Sequence, residues 1–162
     1  MPACPHVHGS ASARTDVAAA MEAAERRCAV AGERWTPSRR RTYELLLQAD
    51  SPVKAYDLIS SYAHDGEPAA KPPTIYRALE FLTAQGLVHR IESLNAFLAC
   101  GSNPHGRSTE FLICDCCGRV EELGVGMDEA VFPAASARGF TPSRMVLEVH
   151  GACVDCSSGQ PN

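Results

Sequence analysis

Two Cys-x-x-Cys pairs in the last third of the chain constrain its fold more than any other feature. The four cysteines are Cys114, Cys117, Cys153 and Cys156. Each pair can place two thiolates on one side of a tight turn, and two such turns supply the four soft ligands of a closed tetrahedral zinc site. Because 35 residues separate the pairs, they indicate a small domain whose two ends are held together by a structural zinc ion.

The first cysteine pair has an alternative assignment. Cys116 lies beside Cys117, so Cys114 and Cys116 form a second possible pair. Gly118 favours the outer pair, because a knuckle turn often needs a residue that can adopt positive φ. A single redox Cys-x-x-Cys accompanied by unrelated buried thiols is the other interpretation, but it leaves the second pair without a role.

Length and composition exclude several classes of protein. The 162 residues allow one large domain or two small ones. No apolar run reaches the length of a membrane span, and the N-terminal segment lacks the apolar stretch of a secretory signal. We therefore expect a cytoplasmic protein without a membrane partner, whose eight cysteines are metal ligands or redox thiols rather than disulfides. With no Gly-rich phosphate loop and no catalytic constellation, we expect neither an enzyme nor a small organic substrate.

Charge is divided unevenly along the chain. The formal net charge is −4, which by itself argues against nucleic-acid binding. Residues 1–90 carry 11 Lys and Arg against 10 Asp and Glu, whereas residues 91–162 carry 4 against 9. Basic residues cluster at Arg34, Arg39–Arg41 and Lys54. A near-neutral module can bind DNA if its positive charge lies on one face, so the first half is the candidate DNA-binding part.

The first hundred residues predict short helices followed by a β-hairpin. Cap and stop signals place the helices at about residues 16–31, 37–47, 54–64 and 72–85. After Gly86, the segments LVHRIE and AFLAC alternate in polarity around a turn at residues 93–95. This order of elements is that of a winged helix-turn-helix.

The helix that begins at Pro72 is the candidate recognition helix of this motif. Its apolar residues share one face and are Ile75, Ala78, Leu79 and Leu82. Tyr76 and Arg77 fall on the opposite face, where Arg can reach guanine acceptors or phosphate and Tyr can contact thymine methyl groups. A solvated helix face is the alternative. The apolar stripe, and the position between another helix and a hairpin, favour DNA binding.

The whole chain is predicted to be α+β. Residues 1–15 are rich in Pro, Gly, Ser and Ala and are expected to be a disordered tail, and residues 16–100 form the winged helix. A polar hinge at residues 101–108 precedes a zinc-containing αβ domain at residues 109–162. In that domain we expect the strands EFLIC, RVEELGV and RMVLEVH, with a helix at about residues 127–138.

A second group of possible metal ligands surrounds this domain boundary. His89 and Cys100 lie on the two arms of the predicted hairpin, His105 lies in the hinge and Glu122 follows the first cysteine pair. One thiolate, two imidazoles and one carboxylate make a zinc ligand set. Taken singly, each of these residues is more often structural or at the surface.

These motifs together resemble the ferric uptake regulator family and, within it, the zinc uptake regulators. The resemblance covers nearly the whole chain after about the first 15 residues. It is carried by KPPTIYRALEFLTAQGLVHRIES (Lys71–Ser93), FLICDCCGRVEEL (Phe111–Leu123), EVHGACVDC (Glu148–Cys156), TPSR (Thr36–Arg39) and AYDL (Ala55–Leu58).

The resemblance implies a homodimeric, metal-dependent repressor that binds double-stranded operator DNA through its winged helix and dimerises through its C-terminal domain. It assigns structural zinc to the two cysteine pairs and a regulatory, zinc-sensing site to His89, Cys100, His105 and Glu122. It assigns DNA contacts to Tyr56, Tyr76 and Arg77, with Arg39 on a phosphate. Two zinc sites per subunit follow from these assignments.

Rival functions differ in metal and in class. Iron-sensing members of the family usually carry a His-rich cluster before the first cysteine pair, whereas the corresponding segment here, NPHGRSTEFLIC, has one His. This difference favours zinc. The alternatives are a family member that senses iron, manganese or peroxide, a zinc-dependent enzyme, and a zinc-dependent protein-interaction module.

Overall fold

The computed structural model describes residues 16–49, 51–63, 70–100, 108–123 and 126–157. The chain divides into two compact units, and their described parts are residues 16–100 and residues 108–157. The tail expected at residues 1–15 lies outside the described residues, as does the predicted hinge except for Ser108.

Four helices open the first unit: α1 (Val17–Val30), α2 (Pro37–Gln48), α3 (Ala55–Tyr62) and α4 (Pro72–Ala84). The predicted caps are confirmed. The Asp16 carboxylate accepts hydrogen bonds from the Ala18 and Ala19 amides at 3.1 and 3.2 Å. The Thr36 hydroxyl accepts from the Arg39 amide at 3.4 Å. These side chains satisfy amides that have no partner within the helix, and so they fix where α1 and α2 begin.

The core of this unit forms around α4. Ile75, Leu79 and Leu82 are at most 1% exposed, which confirms the apolar stripe predicted for this helix. They belong to one cluster with Leu46 of α2 and Leu58 of α3. Because the stripe is buried, the opposite face of α4 remains available to solvent.

A hairpin follows α4 after Gly86, whose φ of +63° suits glycine. Its strands are β1 (Val88–Ile91) and β2 (Ala96–Ala99), paired antiparallel with Val88 opposite Ala99. Val53 and Phe97 exchange two backbone hydrogen bonds of 2.8 Å, which attach the hairpin to the segment before α3. The β2 edge of the hairpin is therefore hydrogen-bonded to the segment that leads into α3.

The second unit is built on a three-stranded sheet. Its elements are β3 (Ser108–Cys114), β4 (Val120–Glu122), α5 (Asp128–Ser136), β5 (Met145–Gly151) and α6 (Val154–Ser157). The strand order is β4-β3-β5, with β4 antiparallel and β5 parallel to β3. The three strands and α5 agree with the sequence-based expectation, whereas the single turn of α6 was not predicted.

The described helices are all too short or too polar to traverse a bilayer.

Candidate metal centres and nucleic-acid interface

The second unit brings the four predicted cysteines together. Cys114 ends β3, Cys117 lies in the following turn, Cys153 follows β5 and Cys156 lies on α6. Their sulfur atoms all lie within 4.8 Å of one another, and the Cys117 and Cys153 Sγ atoms are 3.8 Å apart. A tetrahedron with Zn–S bonds of about 2.3 Å has S···S edges of about 3.8 Å. The ligand set and its spacing therefore fit Zn²⁺.

Backbone hydrogen bonds shape the two turns around these sulfurs. The Gly118 amide donates to the Cys114 carbonyl at 2.9 Å, with Gly118 at a φ of +72°, as the knuckle interpretation requires. The Asp115 amide donates to the Gly151 carbonyl at 2.8 Å and so joins the first turn to the end of β5. The parallel pairing of β3 with β5 thus brings two cysteine pairs that are distant in sequence to the same end of the sheet.

Two of these thiols, Cys114 and Cys156, differ in how readily they lose a proton. Burial raises the pKa of Cys114, but backbone amides directed at its sulfur outweigh burial and bring the pKa to about 6. Burial and the neighbouring cysteine sulfurs raise the pKa of Cys156 to about 12. Four thiolates this close repel one another, so a bound cation is needed to deprotonate the whole set.

The first unit brings together two of the four residues predicted for the second metal site. His89 pairs with Leu98 across the hairpin, and the Cys100 amide donates to the Leu87 carbonyl at 2.9 Å. In this register, the His89 and Cys100 side chains are diagonal neighbours on the same face. Their ligand atoms lie within 4.8 Å of each other. The hairpin therefore presents one imidazole and one thiol as a pair.

The other two predicted ligands come later in the sequence, after the first unit. Glu122 is the last residue of β4 in the second unit, and its side chain is exposed. His105 lies outside the described residues. The assignment of these two residues to the regulatory site stays a prediction.

Tyr43 is a neighbour of the hairpin ligands that sequence reasoning missed. It lies on α2, is 3% exposed and packs edge-on against Trp35 at 6.1 Å. Burial raises the pKa of Tyr43 to about 12, and the negative charge of a Cys100 thiolate adds to this effect. Tyr43 thus keeps its phenolic proton at neutral pH. No motif marks it, because an aromatic residue on a helix is usually a core residue.

The exposed side of the helix-turn-helix carries three of the predicted DNA contacts. Tyr56 of α3 is 75% exposed and Tyr76 of α4 is 50% exposed. Arg77 is also exposed and forms no ion pair with another described residue. Large aromatic side chains at the surface often mark a contact with a partner. Two tyrosines and a free guanidinium are suited to bind base edges and phosphates.

Arg39 lies in a different environment from these three residues. Its side chain is half-buried, with Cζ 3.3 Å from the centroid of the Phe81 ring on α4. One of its terminal nitrogens donates to the Arg34 carbonyl. Arg39 therefore links α2 to the recognition helix. Its contact with a DNA phosphate stays a prediction. Such a contact requires guanidinium N–H groups other than the one that donates to the Arg34 carbonyl.

Comparisons with known proteins agree in pointing to one family. The sequence model of the ferric uptake regulator family matches residues 30–150. The zinc uptake regulation protein of Escherichia coli (strain K12) is 41% identical over 136 residues, which are 82% of this chain and 78% of that protein. The crystal structure of holo XcZur is 42% identical with a TM-score of 0.78, covering 86% of this chain and 97% of the other. A zinc uptake regulator complexed with zinc and DNA is 36% identical with a TM-score of 0.81, covering 89% and 97%.

Proposed function

The chain belongs to the ferric uptake regulator family, and we propose that it is a zinc-responsive transcriptional repressor. As a homodimer loaded with zinc, it binds palindromic operator DNA and controls genes of zinc uptake and homeostasis. The observation that carries this proposal is the His89–Cys100 pair, because it lies on the hairpin that directly follows the recognition helix. A soft metal-ligand pair is thus attached to the unit that carries Tyr76 and Arg77.

Two zinc ions per subunit follow from the ligand chemistry. The four cysteines of the second unit leave no open coordination position, which is typical of structural zinc. The regulatory zinc takes His89 and Cys100 together with His105 and Glu122. Thiolate and imidazole together favour Zn²⁺ over the harder cations Mn²⁺ and Mg²⁺. Zinc is therefore the metal to which the DNA affinity responds.

The proposed switch depends on regulatory ligands that come from both units, as the sequence predicts. A zinc ion held by His89, Cys100 and Glu122 fixes the orientation of the DNA-binding unit relative to the dimerisation unit. In a dimer, the two recognition helices then match major grooves about one helical turn, or 34–36 Å, apart. Without zinc, the units sample more orientations and DNA affinity falls. The coupling is reciprocal, so operator DNA raises zinc affinity by the same factor.

The biochemical class follows from the same residues. The four cysteines form a closed ligand set and we propose a closed set for the regulatory residues as well, so we infer a regulator without catalytic activity. Its partner is double-stranded DNA, and we infer that it acts in the cytoplasm, where operator DNA is accessible.

The test is a DNA-binding titration with the full-length protein under reducing conditions. A fluorescein-labelled duplex with a palindrome of the family type is titrated in the presence of zinc, manganese, ferrous iron or a chelator, and anisotropy is measured. We expect tight binding with zinc and at least tenfold weaker binding with the chelator, which corresponds to a coupling of about 1.4 kcal/mol. Equal affinity under the two conditions would refute zinc-responsive repression. A stronger response to iron or manganese would reassign the sensed metal.

A further inference from the structure

Arg119 occupies a position between the two cysteine turns of the second unit. It follows the first turn directly, after Gly118, and its carbonyl accepts a hydrogen bond from the Cys114 amide at 2.9 Å. Its guanidinium lies 3.1 Å from the Asp155 carboxylate and 3.8 Å from that of Glu121. Since Asp155 lies between Cys153 and Cys156, this ion pair joins the first cysteine turn to the second.

Arg119 also shares a surface cavity with two of the cysteines. The residues that line this cavity include Cys114, Cys153 and Arg119. The Arg119 side chain is 24% exposed, whereas that of Asp155 is 42% exposed. Solvent therefore screens the Arg119 charge less than it would screen a fully exposed one.

A positive charge such as that of Arg119 is expected to stabilise the zinc centre. Zn²⁺ with four thiolates carries a net charge of −2, and Asp155 and Glu121 add further negative charge beside it. Residues 91–162 are acidic as a whole, with 4 Lys and Arg against 9 Asp and Glu. An anionic centre in an acidic unit is stabilised by a fixed neighbouring cation, and partners outside the ligand shell commonly alter metal affinity about 10- to 100-fold.

We propose that Arg119 is a positioning residue of the four-cysteine zinc centre. It clamps the two turns together through Asp155 and offsets the excess negative charge of the zinc–thiolate group, so it slows zinc release. This inference rests on the four-cysteine centre proposed above. It concerns retention of structural zinc and leaves the DNA-contact residues and the regulatory ligands unchanged.

The experiment measures the rate at which zinc leaves the full-length protein. Wild type and variants are loaded with zinc, kept reduced and mixed with excess chelating dye, and absorbance reports release. Regulatory zinc gives the fast phase and the four-cysteine zinc gives the slow phase. We expect Arg119→Ala to accelerate the slow phase about tenfold, Arg119→Lys to remain close to wild type, and Asp155→Asn to fall between them.

Two controls separate charge from general destabilisation. Arg138 lies just after α5 and donates to the Ala134 carbonyl at 2.9 Å. Arg138→Ala should release zinc as wild type does. Raising the salt from 0.1 to 1 M shortens the screening length from about 10 to 3 Å. Salt should therefore bring the wild-type rate closer to that of Arg119→Ala.

Three results would overturn the role of Arg119. The first is a slow phase of zinc release in Arg119→Ala that is as slow as in wild type. The second is an equal acceleration of this phase by Arg119→Lys and Arg119→Ala. The third is a difference in rate between wild type and Arg119→Ala that high salt does not reduce. If Arg119→Ala does not fold, Asp155→Asn decides, because an unchanged slow phase in that variant excludes the clamp. A wild-type protein without any slow phase would overturn the four-cysteine centre itself and is distinguishable from these results.

Discussion

Replacing Arg39 by Ala should destabilise the first unit, although arginines at protein surfaces usually contribute little to stability. The Arg39 guanidinium lies 3.3 Å from the Phe81 ring centroid and donates to the Arg34 carbonyl. A cation–π contact at a partly desolvated site contributes about 0.5–2 kcal/mol. A hydrogen bond from a charged donor contributes about 1.5–3 kcal/mol. Because Arg39 is half-buried and these contributions overlap, we expect a loss of about 2 kcal/mol in the free energy of unfolding.

The assay is urea unfolding of zinc-loaded protein at one fixed subunit concentration, since dimerisation makes the transition depend on concentration. Arg40→Ala is the matched control, because Arg40 is the adjacent arginine on α2 and is exposed. It should change stability by no more than about 0.5 kcal/mol. The error of this comparison is about 0.5 kcal/mol. If the free energies of unfolding of Arg39→Ala and Arg40→Ala differ by less than that, the proposed link between α2 and α4 is refuted.

The same Arg39 variant tests the phosphate contact independently. Loss of one phosphate contact lowers the slope of log K against log salt concentration by about 0.9. We expect this reduction for Arg39→Ala, since its guanidinium has donors beyond the one used by Arg34. An unchanged slope together with the stability loss would show that Arg39 supports the recognition helix without contacting DNA.

Three further substitutions separate the two zinc sites from the DNA-binding face. Cys114→Ser should lose the slowly released zinc and the dimer, because structural zinc contributes folding free energy; a folded, dimeric variant in analytical ultracentrifugation would contradict this. Arg77→Ala should weaken operator binding by about 1–3 kcal/mol. Zinc content and melting temperature should not change, because the Arg77 side chain is exposed. Unchanged DNA affinity in a gel-shift titration would exclude α4 as the recognition helix. Cys100→Ser should keep the four-cysteine zinc and the dimer but lose zinc-dependent DNA binding, as followed by metal stoichiometry and anisotropy in one titration; a wild-type zinc response would place the sensing site elsewhere.

Local chemistry made the first unit predictable from sequence. Asp16 and Thr36 mark helix starts through side-chain hydrogen bonds, and Gly86 marks the end of α4 through its positive φ. The 3.6-residue period of Ile75 and Leu79 identifies the buried face of α4, and so also the exposed face with Arg77. Each of these signals lies within a few residues of the feature that it determines.

Contacts between distant segments were not predictable in this way. Alternating polarity identifies β3 and β5 as strands but does not reveal that they pair in parallel. The stacking of Arg39 on Phe81 and the position of Tyr43 near Cys100 depend on how helices pack, which no local pattern encodes. The four cysteines are the exception, because metal chemistry requires them to meet wherever they lie in the sequence.

The two proposed zinc sites should differ in zinc affinity because the ligands of one site belong to a single unit, whereas those of the other are drawn from two. The four cysteines belong to one unit, where the β3–β5 pairing and the Gly118 turn place their sulfur atoms within 4.8 Å of one another. The regulatory ligands are proposed to come from two units, so we expect zinc binding there to include the free energy of fixing one unit relative to the other. Its apparent affinity is reduced by the fraction of molecules that already have the competent orientation. We therefore expect the regulatory zinc to exchange while the structural zinc stays bound. The same reduction also allows operator DNA, which selects the same orientation, to increase zinc affinity at His89 and Cys100.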